Sequence, residues 1–232
     1  MDSNLLTGLA GINQYKQEQE AKREAANRPK AEWFKWPKNV NVATVRFLQE
    51  FDTSATNYRE DRGLALIAVE HQAPGPDGYK RRGLCTRLTD GECFPCEKHE
   101  LNYKEGWRQR VNLYINALVQ FGSEAPVPLV ISRTFNSSFS QALIEEAVDE
   151  GSVTDANYKI TRTGEGTSTQ WLLKRLKGDP FDDTDVEVFS LTDTAVRTIE
   201  YDKQAEYYGA VYQPETVGAS SAPATSSADA EW

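Results

Sequence analysis

All three cysteines of this chain and one of its two histidines fall between positions 71 and 96: His71, Cys85, then Cys93-Phe94-Pro95-Cys96. Two thiols separated by Phe-Pro form a knuckle that turns both sulfurs toward one point, and Pro95 stiffens the bend. Cys85 and a histidine complete a Cys3His set, the usual closed shell of a structural zinc site. Four side chains from separate segments must then meet at one tetrahedral ion, a stronger constraint on folding than any run of hydrophobic pattern. The fourth ligand is His71 or His99, which lies three residues beyond Cys96. His71 is favoured, because it ends an apolar run and ties a strand end to a distant knuckle, closing a loop that cannot pack by itself. A redox pair is the main competing reading, but it calls for a thioredoxin-like strand-to-helix context. Here the pair follows Asp90-Gly91-Glu92 and precedes a charged stretch. A disulfide plus one free thiol fits poorly with the odd cysteine count.

The 232 residues suit one sizeable domain with appendages. No run approaches the ~18 apolar residues of a membrane span. The opening Met1-Asp2-Ser3-Asn4 lacks the charged and apolar regions of a signal peptide. With free thiols, this points to a reducing, intracellular compartment. The net charge of -9 conceals an asymmetry: residues 179 to 232 hold 2 basic and 12 acidic side chains, leaving 24 and 23 for the rest. A near-neutral body with an acidic C-terminal segment is expected, and Ala21 to Arg46 is locally basic.

Along the chain, residues 13 to 27 read as a polar helix without a wide apolar stripe. Pro29 ends it, and Trp33-Phe34-Lys35-Trp36-Pro37-Lys38 interleaves aromatics with lysines. That mixture suits base stacking beside phosphate contacts, or anchoring of the arm against the core. Val42 to Phe51 and Gly63 to His71 are β-rich, with a polar loop containing Tyr58, Arg59 and Arg62 between them. Trp107 to Phe121 alternates with a two-residue period. Trp107, Gln109, Val111, Leu113 and Ile115 fall on one face, and Arg108, Arg110, Asn112, Tyr114 and Asn116 on the other. A strand at Val127 to Thr134, a Ser-capped helix from Phe139 to Asp149, and a glycine-turned hairpin over 158 to 176 follow. Lys159, Arg162, Lys174, Arg175 and Lys177 bias that hairpin positive. Val186 to Leu191 reads as a last strand and Thr192 to Tyr208 as a short helix. From about Gln213 the composition turns to Ala, Ser, Thr, Pro and Gly, too poor in apolar surface to order itself, ending in Asp229, Glu231 and Trp232.

Short strands, one helix between middle and late strands, and the hairpin suit a mainly β fold: an OB-like barrel with an inserted zinc subdomain. The expected organisation is an arm over 1–40, a core over 41–212 with the metal knuckle at 71–99, and a disordered acidic tail over 213–232. The order and spacing of His71, Cys85, Cys93 and Cys96, with the basic arm, aromatic-plus-basic strands and acidic tail, resemble the zinc-containing single-stranded DNA-binding (helix-destabilising) proteins of tailed bacteriophages. The specific part of the likeness covers only residues 71 to 96. Two departures accompany it: the basic residues of the arm are spread out, and most C-terminal acid lies early, at Asp179 to Asp185.

The resemblance implies one structural zinc ion and a protein in the host cytoplasm that coats single strands during phage DNA replication, recombination and repair. Replication and recombination partners would meet the tail through Asp229, Glu231 and Trp232, and self-association would run through the N-terminal arm. No membrane is involved. The stacking candidates are Trp107, Tyr114, Tyr79 and Trp171, with Trp33 and Trp36 beside Lys35. The phosphate candidates are Lys80, Arg81, Arg82, Arg108, Arg110, Arg162 and Lys174. Two rivals stand against this non-enzymatic reading. One is a Mg²⁺ site for nuclease or phosphoryl-transfer chemistry at Asp182, Asp183, Asp185 and Glu187, although adjacent acids in such a loop are more often a solvated turn. The other is a zinc-bearing protein-interaction or regulatory module.

Overall fold

The computed structural model of the chain describes residues 30–73, 81–164 and 168–209, with seven further positions between 8 and 19. Those seven are helical and fall in and just before the expected polar helix, whose remainder lies outside the described residues. Seven antiparallel strands form one sheet that is not closed: β1 (Val42–Phe47), β2 (Leu66–Gln72), β3 (Arg82–Leu84), β4 (Arg110–Gln120), β5 (Val127–Thr134), β6 (Asn157–Thr163) and β7 (Gln170–Arg175). Among the described residues no helix is long and apolar enough to cross a membrane.

β4 is the axis of the sheet. One edge pairs with β5 over Asn112–Val119, while the other is shared, with β2 against its first half and β1 against its second. The shared edge parts at Asn116, whose backbone N–H donates to the Gln49 side chain at 3.0 Å instead of to a strand. The order continues from β1 through β6 to β7, and from β2 to β3.

Alternation sorts the side chains. Ala43, Val45, Phe47, Leu113, Ile115, Ala117, Val119, Tyr158, Ile160 and Trp171 turn to one face, where α3 (Ser138–Glu150) adds Phe139 and Leu143. Ser137 caps α3 by accepting from the Ser140 N–H, and Gly151 ends it at φ 73°, a left-handed conformation that glycine adopts without strain.

The opposite face is not the solvated one that the alternation of β4 suggests. Tyr114, Asn116 and Leu118 are buried there as well. Ala31 and Trp33 from the arm, and Phe189, Leu191 and Val196 from the chain after β7, pack over it with Tyr114, Ala68 and Val130. The expected strand at 186–191 has no regular structure. Its Phe189 exchanges two hydrogen bonds with the Asn116 amide, at 2.9 and 3.0 Å, and α4 (Leu191–Thr194) follows at once. The expected last helix is thereby split into α4 and α5 (Tyr201–Gly209).

Candidate metal centre and basic sheet face

The four residues singled out from spacing come together. His71 lies on β2 opposite Gly83 of β3, and Cys85 follows β3, its N–H bonded to the Val69 carbonyl at 2.9 Å. A short helix, α1 (Arg87–Asp90), and Gly91 at φ 81° reverse the chain. Thr86 holds the reversal by donating to the Glu92 carbonyl at 2.6 Å. Cys93 then caps α2 (Phe94–Leu101), which carries Pro95 and Cys96 in its first turn. The helix had no signal in a stretch this polar, and its role is to point both knuckle thiols at His71.

The ligand atoms of His71, Cys85, Cys93 and Cys96 all lie within 4.8 Å of one another, and all four residues are buried. Cys85 and Cys96 sulfurs are 3.6 Å apart, and Cys96 Sγ is 3.3 Å from His71 Nε2. A tetrahedral ion with bonds of ~2.3 Å to sulfur spaces two thiolates about 3.8 Å apart, so the cluster has the right size. His71 Nδ1 sits 2.7 Å from the Trp107 carbonyl oxygen, a contact that fixes the proton on Nδ1 and leaves Nε2 free to ligate. The Gln109 amide donates to Cys85 and Cys96 at 3.1 and 3.4 Å. His99 belongs to α2 but not to the cluster.

Burial opposes ionisation of Cys93, yet its interaction with His71 and the N–H groups of Cys96 and Thr86 bring its pKa down to about 6. Burial, the Cys85 hydrogen bond and the Cys93 charge push Cys96 up to about 12. One thiolate thus penalises the next, and a cation held between the sulfurs removes that conflict.

Residues 200–209 close the cluster from outside. Gln204, 1% exposed, accepts from the Phe94 N–H and donates to Thr86 Oγ1 and the Ile199 carbonyl, each at 2.9 Å. Tyr208 packs with Trp107 and Ala73. At Gly83 an added Cβ would stand 2.6 Å from the Tyr208 hydroxyl, so only glycine fits between β2 and α5.

The expected DNA contacts divide sharply. Trp107, Tyr114 and Trp171 are 1%, 0% and 7% exposed and present no open ring face to a base. Trp107 belongs to the contact with α5. Tyr114 donates to Glu70 at 2.5 Å and accepts from Arg82 at 3.4 Å, and burial together with Glu70 pushes its pKa up to about 12. Trp171 lies in the main core under the Arg133 guanidinium, 4.4 Å away. Trp33 meets Tyr114 edge-on at 6.0 Å, and Trp36 packs against Phe34, Phe121 and Trp171, so these rings anchor the arm while Lys35 stays exposed. Arg81 is engaged with the Tyr207 carbonyl and ring, and Arg162 donates to Asn41 at 2.8 and 3.1 Å above Trp36. Tyr79, Lys80, Asp229, Glu231 and Trp232 lie outside the described residues.

Arg82, Arg108, Arg110 and Lys174 are exposed. Arg82 pairs with Gln72 and Arg110 with Glu70, which places both arginines on the same face, two strands apart. Lys174 stands directly opposite Lys159, and Lys159 opposite Thr44. Among the described residues neither lysine has an ion-pair partner, and Arg46 projects from the same face two residues after Thr44.

Beside Arg46 lies a cleft of about 260 Å³ lined by Asn57, Tyr58, Arg59, Arg62, Thr154 and Asp183 among others. Asp183 pairs with both Arg46 and Arg62. Burial pushes the Arg46 guanidinium below its ordinary value; Asp183 opposes that shift and Arg62 adds to it. Asp182 instead accepts from Thr184 N–H and hydroxyl at 3.0 and 2.7 Å, an acid-capped turn, while Asp185 and Glu187 are exposed. Sequence reasoning had not grouped Arg46, Arg59, Arg62 and Lys159. The hairpin was legible but not the register that sets Lys159 opposite Lys174, and the three arginines come from β1 and a loop with no shared motif.

Comparison of the chain with protein-family models, curated proteins and solved structures gives no match.

Proposed function

We propose that the chain is a single-stranded DNA-binding protein, non-enzymatic, stapled by one zinc ion and related in kind to the phage helix-destabilising proteins that its cysteine spacing resembles. The observation that carries the reading is the Lys159–Lys174 pair, which has no ion-pair partner among the described residues, in register with Thr44 and next to Arg46. Like charges directly opposite on neighbouring strands destabilise a sheet; a polyanion laid across the face turns that cost into affinity. Arg82 and Arg110 carry the same sign at the far end of that face, beyond Trp33 and the 189–196 segment that cover its middle. A backbone tracking such a face is held without reading bases.

Zinc fits the donor set better than magnesium or calcium, which take oxygen ligands. His71, Cys85, Cys93 and Cys96 would fill its tetrahedron. No position is then left for chemistry, so the ion acts as a staple for β2, β3 and α2. The OB-like description belongs to this proposal, supported by the way β1 and β2 divide one edge of β4. The terminal acidic tail as a docking segment for replication and recombination proteins, the arm in self-association and a location in host cytoplasm belong to the same proposal.

The test is binding of mixed-sequence single strands against duplex across a salt series, with metal content measured on the same preparation. Preferential single-strand binding that falls steeply with salt, with one zinc per chain, is the expected result. Duplex binding that equals or exceeds single-strand binding overturns the reading. A second reading, a zinc-bearing interaction module, has one observation in its favour: Leu88, Leu101 and Tyr103 around the cluster are 85%, 80% and 70% exposed. It predicts no affinity for single strands.

A further inference from the structure

Buried arginines need an anion, and the one they have here comes from a loop. The Arg62 side chain is 3% exposed, the side chains of Arg46 and Asp183 14% each. The two Arg62 terminal nitrogens reach the Asp183 carboxylate and its backbone carbonyl, and Arg46 reaches the same carboxylate and the Phe181 carbonyl. Two guanidiniums therefore converge on one carboxylate, leaving a cation in excess. Arg62, which lines the cleft, keeps its Nε buried with no hydrogen-bond partner, so one donor of this guanidinium is unused. Arg59 stands at the rim with its own partner, Asp61, and Tyr58 and Asn57 complete the wall.

The segment that supplies the carboxylate is tied to the body through Asn157, which donates to the Asp179 carbonyl at 3.4 Å and accepts from the Phe181 N–H at 3.1 Å, and through the two arginines. Between Asp179 and Glu187 there is no helix or strand. The stretch carries Asp179, Asp182, Asp183, Asp185 and Glu187 and no basic residue. Among the described residues only Asp183 of this stretch is in an ion pair with the body of the protein. An acidic strip thus lies beside the basic face, with one carboxylate seated between two arginines. A guanidinium fork binds a phosphate as well as a carboxylate, because both present two anionic oxygens to its paired N–H donors.

We propose that Arg46 and Arg62 form a phosphate seat in which the Asp183 carboxylate stands in for the phosphate, and that an entering phosphate lifts segment 179–187 off the sheet. The ligand class is a phosphodiester of a nucleic-acid backbone or a free polyphosphate. The inference rests on the nucleic-acid reading only for the first of these. It makes the acids that a metal-site reading had assigned to Mg²⁺ into an internal competitor for the groove.

The experiment uses the full chain with four forms: wild type, Asp183→Asn, Arg46→Gln and Asp182→Asn. Anisotropy of a labelled oligodeoxythymidine reports the nucleic-acid arm, and thermal shift with sodium tripolyphosphate reports the free-phosphate arm. One charge-assisted contact is worth roughly 1.4 kcal/mol, so Asp183→Asn should bind the oligonucleotide about tenfold more tightly and Arg46→Gln about tenfold more weakly. Asp182→Asn should stay within about twofold, since its carboxylate touches neither arginine. If wild type binds the oligonucleotide and neither Asp183→Asn nor Arg46→Gln changes that affinity, Asp183 is a structural clamp; the seat is overturned and the nucleic-acid reading stands. If wild type binds no single strand, the nucleic-acid reading falls by itself. Tripolyphosphate must then raise the melting temperature of Asp183→Asn and not that of Arg46→Gln, or the seat falls too. Should Asp183→Asn fail to fold, the arginine side-chain ¹H–¹⁵N resonances of wild type decide: tripolyphosphate shifts an Nε–Hε signal that Arg46→Gln leaves unresponsive, and unmoved signals overturn the proposal.

Discussion

Two places in this molecule bury groups that repel one another when charged alike, and they differ in where the counter-charge comes from. At one end of the sheet three thiols and an imidazole converge from β2, the end of β3 and α2, and among the described residues no carboxylate joins the cluster. At the other, Arg46 and Arg62 converge from β1 and the following loop, and the chain provides Asp183. A set with no internal counter-charge holds together through an external ion, and a closed tetrahedral shell leaves that ion nothing to exchange with. A set neutralised by a loop carboxylate is already satisfied, but the occupant can be displaced by an anion that fits better. On the two proposals made above, the first arrangement is a staple and the second a binding site.

Metal removal gives the largest expected effect. Structural zinc contributes on the order of 10 kcal/mol in small domains. Chelation, or Cys96→Ser, should lower the melting temperature sharply and flatten the near-ultraviolet dichroism of Trp107, which packs against Phe94 and Tyr208. The main core shares no residue with the cysteine cluster, so far-ultraviolet signal from β1 and β4–β7 should persist. An unchanged melting curve would make the staple dispensable and erase the contrast. Next comes Arg62→Met. Breaking a buried pair costs about 3–5 kcal/mol, and the Arg46 contact that Asp183 retains sets the expectation at the low end, read from urea midpoints at constant m.

Gly83→Ala probes the metal end without touching a ligand. Its Cβ would meet the Tyr208 hydroxyl at 2.6 Å, and overpacking of this kind costs ~1–3 kcal/mol. The loss should appear as faster hydrogen exchange in α5 at full zinc content. The smallest effect on stability belongs to Lys159→Glu. Relief of the clash with Lys174 should raise stability by a few tenths of a kcal/mol. The same change should weaken single-strand binding and reduce the salt slope by about one unit or more. A stability gain with unaltered binding would remove the basic row from the interface.

The metal cluster was legible because its chemistry is local in type: only Cys and His serve such a shell, and the chain has three and two of them. Strands β5 and β6 and helix α3 were legible for a similar reason, each carrying its own periodicity and its own cap or turn. Tyr114 and Trp107 were misplaced because alternation says which residues share a face and nothing about what covers it. Tyr114 counted as an outward residue until segment 189–196 and Trp33 were laid over it. Trp107 was taken for a stacking ring, although its partner Tyr208 lies 101 positions further along the chain.

Taken alone, the sequence determined which residues can ligate a soft cation, that the fold is mainly β, and that charge is divided between a near-neutral body and an acidic end. These follow from side-chain chemistry and from periods of two and 3.6, both local properties. The tertiary structure alone decided which face of β4 is dry, that Lys159 and Lys174 sit in line with Arg46's face, and that Asp183 lies between Arg46 and Arg62. Each of those depends on segments far apart in the chain meeting, or on strand order, and neither is written in any local pattern.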